Sequence, residues 1–150
     1  MKNNLLKFIE INASIAVMNN YTLLLKEHNL KVTPQRLGIL AIVGNAGHIS
    51  IEDLYTYIRK DFNSISLATL YKNINFMVEV SLLKEIKVPN HKSKYEIVKN
   101  EHSHMICKKC YKFEDLELSL HSLVQDASEK SGYLFEDNTL VLSGTCPHCQ

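Results

Sequence analysis

The sequence predicts an α+β protein in two parts, a helical N-terminal half followed by a smaller mixed half. Three observations predict it. Three short helices, each opened by a hydroxyl residue, fall within about 45 residues. Two alternating strands come next, and beyond about residue 89 two Cys-x-x-Cys pairs bracket a strand, helix and strand pattern.

Along the chain, residues 5 to 30 are apolar at Leu5, Phe8, Ile9, Ile15, Val17, Met18, Leu23, Leu24, Leu25 and Leu30, which reads as two helical stretches broken at Asn19 and Asn20. Residues 1–21 form a helical extension ahead of the first domain. Thr33 then serves as N-cap with Pro34 at the first helical position, where its missing N–H costs nothing, and the helix runs through Ile39, Leu40, Ile42 and Val43 to stop between Gly44 and Gly47. Ser50 opens a second helix, with Asp53 completing a box-like pattern and Leu54, Tyr55 and Ile58 as its stripe. Ser66 opens a third, lined by Ala68, Leu70, Tyr71, Ile74, Met77 and Val78. Leu82–Val88 and Lys94–Val98 alternate as two strands about the turn Pro89-Asn90-His91. Three helices and such a hairpin have the proportions of a winged helix-turn-helix domain, here residues 22–88. Residues 89–150 make a small α/β domain: a strand-like segment from Met105 to Phe113, a helical period from Leu116 to Lys130 and a strand from Tyr133 to Ser143.

Composition narrows the class. At 150 residues, 45% hydrophobic and 22% charged, the chain reads as soluble and globular, without internal repeats, and long enough to bury a real core. Lys7, Glu10, Lys26 and Glu27 interrupt every stretch that approaches the length of a membrane helix. Because no compact apolar run succeeds the opening Met-Lys-Asn-Asn, a secretory leader is not expected and the cytoplasm is. The net charge of +1 is uneven: residues 1–88 carry ten Lys and Arg against seven Asp and Glu, and residues 89–150 carry seven against nine. That asymmetry permits a DNA-facing half.

The candidate recognition helix is Ser64–Val78. Its first turn offers Ser66, Ala68 and Thr69 to base edges, the Ala68 and Thr69 methyls suiting thymine, while Tyr71 and Lys72 reach bases or phosphates. Arg36, Lys31, Lys60 and Lys72 are candidate phosphate contacts. The competing reading is an ordinary three-helix bundle. With so few cations beside the helix, tight binding calls for two copies, so a homodimer is implied.

Cys107-Lys108-Lys109-Cys110 and Cys146-Pro147-His148-Cys149 lie 35 residues apart and use all four cysteines. Two such turns can complete a tetrahedron of thiolates around a structural Zn²⁺, a closed site with no open position for chemistry. Redox dithiols and disulfides are the alternatives, disfavoured by a reducing compartment. His102-Ser103-His104 is a second donor group, since residues two apart in an extended segment share a face. Glu96, Glu101, Glu114 and Asp115 are nearby carboxylates, and nitrogen with carboxylate oxygen and no sulfur suits Fe²⁺, Mn²⁺ or Zn²⁺. His48, at the start of the second helix, reads either as a cap or surface residue or as a further ligand.

Taken together, Thr33-Pro34-Gln35-Arg36, Ser66-Leu67-Ala68-Thr69-Leu70-Tyr71-Lys72-Asn73, the stretch from His102 to Cys110, and the closing Cys146-Pro147-His148-Cys149 resemble the ferric uptake regulator family of bacterial metalloregulators, over about residues 22 to 149. The resemblance implies a dimeric, metal-dependent DNA-binding repressor whose second domain dimerises. It places structural zinc on Cys107, Cys110, Cys146 and Cys149, and a regulatory Fe²⁺ or Mn²⁺ on His48, Glu96, His102, His104 and Asp115. A further metal site known in some members is missing, with Asn138 in the region of its histidine.

Within the family, the aspartate at Asp115 is similar to the peroxide-sensing branch, which implies hydrogen peroxide as signal, oxidation of His48 or His102 by bound iron, and control of oxidative-stress genes. Glu96 points instead to an iron-responsive repressor of metal-uptake genes, and Tyr111 stands where the family usually has glycine. A zinc-stabilised interaction module without DNA binding is a further alternative. An enzyme is not expected, since five ligands leave little room for water and substrate together and no separate acid or base is evident. The expected partners are a double-stranded DNA operator and a second copy of the chain, with no membrane and no small molecule beyond metal ions and peroxide.

Overall fold

The computed structural model of the protein describes residues 16–136 and 138–150. The part of the expected N-terminal extension before residue 16 lies outside them. Residues 16–27 form one helix, α1, which runs through Asn19 and Asn20 without a break because both lie on its exposed side. Its buried side carries Tyr21 and Leu25, one turn apart. The helix closes on Asn29, at φ 55°. There Leu30 N–H bonds to the Leu25 carbonyl and Asn29 N–H to that of Lys26, the paired bonds of a left-handed C-cap.

The next three helices begin at the expected caps. α2 (Pro34–Ala46) starts with the Thr33 hydroxyl accepting from Arg36 N–H and ends on Gly47, at φ 69°. α3 (Ile51–Ile58) is capped by Ser50, which accepts from Asp53 N–H, and α4 (Leu67–Glu79) by Ser66, which accepts from Thr69 N–H. Their buried stripes are Ile39, Leu40 and Val43; Ile51, Leu54 and Ile58; and Leu70, Ile74 and Met77. These stripes share one core with Tyr21, Leu25, Leu82, Leu83 and Tyr95. At roughly 1.5–3 kcal/mol for each buried large side chain, this core holds the first unit together.

The wing comes after α4. β1 (Leu83–Ile86) pairs antiparallel with β2 (Lys94–Ile97), from Leu83 opposite Ile97 to Ile86 opposite Lys94. Because β2 completes this ladder, the first compact unit ends at Val98 and the second begins at Lys99. A division between residues 88 and 89, where the sequence pattern changes, would separate the two paired strands.

In the second unit the centre is β3 (Ser103–Cys107), flanked by β4 (Phe113–Leu116), antiparallel, and β5 (Val141–Gly144), parallel. The helix expected from Leu116 instead runs as α5 (His121–Ser131), since Phe113–Leu116 is taken up by the ladder with β3. The strand expected from Tyr133 is confined to Val141–Gly144. The N-cap of α5, Leu120, has no side chain to cap with; the Ser119 hydroxyl accepts from His121 N–H and the Glu101 carboxylate from Leu120 N–H, each at 3.3 Å. α5 buries none of its side chains. Among the described residues of this unit the buried apolar side chains are Ile106, Cys107 and Leu120, too few to hold about 50 residues without a further tie. No helix among the described residues is long and apolar enough to cross a membrane.

Candidate metal centres and recognition helix

That further tie lies at the ends of β3 and β5. Their parallel register sets Cys107 beside Gly144, so the turn after β3 carries Cys110 and the turn after β5 carries Cys146 and Cys149 at the same end of the sheet. The four sulfurs lie within 4.8 Å of one another, and Cys110 Sγ is 3.7 Å from Cys146 Sγ. Thiolates each about 2.3 Å from one tetrahedral ion stand at about that separation, whereas a disulfide requires about 2.05 Å. All four cysteines are free. Backbone N–H groups of Cys110, Cys146 and Lys109 point at the Cys107 sulfur and hold its thiol down to about 5, whereas Cys149, hydrogen-bonded by the neighbouring Cys146 and Cys110 sulfurs, is pushed up to about 12. A cluster that favours one thiolate and resists another is what a dication resolves, by displacing the remaining protons. Four thiolates so placed fit a structural Zn²⁺.

The knuckle tolerates an unusual residue. Tyr111 adopts φ 61°, the left-handed conformation that favours glycine, and its N–H bonds to the Cys107 carbonyl at 2.9 Å. The turn therefore keeps its shape with tyrosine in it.

The second donor group stands on the same strand. In the β3–β4 ladder His104 is directly opposite Asp115, and His102, two residues earlier, faces the same way. Asp115 Oδ1 is 3.5 Å from His102 Nε2 and 3.8 Å from His104 Nε2, and the two imidazole centroids are 4.6 Å apart. His104 is 2% exposed and stacks on Phe113 at 5.2 Å, which fixes its ring plane. Two nitrogens and a carboxylate oxygen, without sulfur, fit Fe²⁺ or Mn²⁺. Of the other carboxylates, Glu114 pairs with Lys112 and Glu101 caps α5, so neither belongs to this set.

The first unit has its own imidazole–carboxylate pair. Ile49 forms an isolated antiparallel bridge with Tyr95, closed by hydrogen bonds of 3.1 and 2.8 Å. Their neighbours His48 and Glu96 are thereby opposite one another, with His48 Nε2 3.1 Å from Glu96 Oε2. Glu96 is 1% exposed, and a carboxylate so buried requires a cationic or hydrogen-bonding partner. Only the pairing of residue 49 with residue 95 makes this visible; nothing in the local sequence of either residue does.

On α4 the exposed residues include Ala68, Tyr71 and Lys72, spaced as one helix face, with Lys72 Nζ over the Phe76 ring. Ser66 and Thr69 are engaged in the cap, their hydroxyls 2.8 Å apart. Arg36 is half-buried; its Nε donates to Asn73 Oδ1 at 3.2 Å and one terminal nitrogen to the Lys31 carbonyl at 2.8 Å, so it ties the start of α2 to α4.

A winged helix-turn-helix joined to a small sheet domain with a four-thiolate site and nitrogen–oxygen donors defines a metalloregulator of transcription rather than an enzyme. The chain belongs to the Ferric uptake regulator family, whose model matches residues 27–143. It is 36% identical over 132 residues to the Ferric uptake regulation protein of Synechococcus elongatus, an overlap of 84% of this chain and 90% of that protein. It is 32% identical over 127 residues to the Peroxide operon regulator of Bacillus subtilis, covering 83% and 88%. Among solved structures, the Campylobacter jejuni peroxide stress regulator superposes with a TM-score of 0.68 at 40% identity, over 83% of this chain and 96% of that one.

Proposed function

We propose that this chain is a cytoplasmic, homodimeric, metal-dependent repressor that binds a double-stranded operator and is released from it by hydrogen peroxide. The observation that carries the reading is the His102, His104 and Asp115 group, a sulfur-free donor set with the short carboxylate on the strand facing both imidazoles. Likeness to the Bacillus subtilis and Campylobacter jejuni peroxide regulators supports it.

In this reading His48 and Glu96 of the first unit complete the set, and a ligand shell drawn from both units makes metal loading a control over how the DNA-binding part is presented. The chemistry that bound Fe²⁺ supplies is reduction of peroxide, with one oxygen added to the imidazole of His48 or His102. An oxidised His48 or His102 would no longer donate to the ion, and the operator would be released. Ala68, Tyr71 and Lys72 read the operator, Ser66 and Thr69 shape the N-terminus that approaches it, and Arg36 contacts phosphate while holding α4. Exposed Leu123, Tyr133, Leu134, Phe135 and Leu142 on the second unit support dimerisation, since a second copy covering them would supply the core that this unit lacks.

The test is operator binding by anaerobically purified protein loaded with Fe²⁺ or Mn²⁺, before and after a low dose of peroxide, with peptide masses recorded. Release of the iron form alone, with one added oxygen on the peptide carrying His48 or His102, is the expected result. Iron-dependent binding that survives the dose supports the second reading, an iron-responsive repressor of metal-uptake genes. Glu96 and likeness to the Synechococcus elongatus protein favour that second reading.

A further inference from the structure

Asp115 is shared between two kinds of partner. Its Oδ1 faces the imidazoles of His102 and His104, while its Oδ2 is 2.5 Å from the Lys99 ammonium. Lys99 and Asp115 are both about half exposed and line one open polar cleft together with Glu101, His102 and Glu117. One carboxylate therefore serves a resident cation on its outer oxygen and the metal-binding imidazoles on its inner one.

We propose that Lys99 tunes the metal site through Asp115, acting as an internal competitor that weakens divalent-ion binding and leaves Asp115 a one-oxygen ligand. The inference rests on the regulatory-metal reading of His102, His104 and Asp115. An ammonium bonded to Oδ2 draws off part of the charge that would otherwise act on the ion, and a dication and an ammonium sharing one carboxylate repel each other. Solvent reaches both side chains, so the repulsion is screened almost as in water and amounts to roughly tenfold in affinity. Lys99 positions and attenuates; it does not itself ligate. Because Lys99 holds only the outer oxygen and leaves Oδ1 to the imidazole side, loading is weakened without being blocked.

The test is Mn²⁺ titration of the zinc-filled full-length protein, with Co²⁺ absorption as a second readout of the same site. Lys99→Met is expected to tighten binding about tenfold, Lys99→Arg to stay within about twofold of wild type, and the gain to shrink as ionic strength rises. In an Asp115→Asn background the effect of Lys99→Met is expected to fall below about threefold. Equal or weaker binding by Lys99→Met, or the same gain with Asp115→Asn, overturns the proposal. Failure of the wild type to take up a second ion while retaining zinc overturns the regulatory-site reading itself, and the proposal with it.

Discussion

Gly44 allows α1 and α2 to meet closely. A Cβ at this position would stand 2.2 Å from the Tyr21 hydroxyl oxygen, 3.2 Å from the ring carbon bearing it and 3.4 Å from Ile97 Cδ1. Gly44→Ala inside a helix gains about 1 kcal/mol in propensity, but forcing a methyl against a buried tyrosine costs about 1–3 kcal/mol, so the substitution destabilises by about 1 kcal/mol on balance. Removing the hydroxyl changes the sign. With Tyr21→Phe the closest remaining neighbour is the ring carbon at 3.2 Å, which needs only a small adjustment, and Gly44→Ala then stabilises by roughly 0.5–1 kcal/mol. The two substitutions should therefore couple by about 1–2 kcal/mol in a double-mutant cycle. Urea unfolding of the four zinc-loaded proteins, monitored by helical circular dichroism, measures this directly. A Gly44→Ala cost that is the same in both backgrounds, within about 0.3 kcal/mol, would show that α1 does not seat against α2 through Tyr21.

Other perturbations probe the two units separately. Ser66→Ala removes the α4 cap and should cost about 1 kcal/mol of stability, whereas Ser66→Asp keeps the cap yet should weaken operator binding at least about tenfold by bringing negative charge to the backbone phosphates; wild-type binding by the aspartate variant would turn this helix end away from DNA. Tyr111→Gly relieves a left-handed tyrosine at about 1–2 kcal/mol against an unfolded-state entropy cost of about 0.4–1, so the zinc-loaded protein should gain roughly 0.5–1 kcal/mol in urea unfolding. The Cys107 thiol is lowered from 9.0 to about 5, so its contribution to metal-free stability is complete above 9 and disappears as pH falls through 5. Zinc uptake at neutral pH should therefore expel fewer protons than one for each cysteine, as titration in buffers of different ionisation enthalpy would show. Asp115→Glu should retain metal-dependent operator binding and blunt release by peroxide; a release curve identical to wild type would remove the subtype argument from this residue.

Local chemistry made much of the first unit legible. Thr33, Ser50 and Ser66 announce their helices because a hydroxyl ahead of an apolar period has little other use, and the caps form where expected. The His102 and His104 pair was equally readable, because alternation in an extended segment needs no knowledge of the fold. Asn19 and Asn20 misled because polar residues on the exposed side of a helix look, in sequence, like a break. Glu117, Leu118 and Leu120 read as continuous with the helix that begins at His121, but pairing of Phe113–Leu116 with β3 overrides that local preference. The 49–95 bridge that joins His48 to Glu96, the Phe113 ring that orients His104 and the Lys99 ammonium on Asp115 are all tertiary, and no spacing rule signals them.

β3 carries His104 near its start and Cys107 at its end, and β5, its parallel neighbour, leads straight into Cys146 and Cys149. Zinc thus staples β5 along the very strand that presents the imidazole, and removing it frees the partner that His104 is laddered to through Val141. The imidazole therefore sits on a strand whose neighbour depends on the four-thiolate turns for its anchorage.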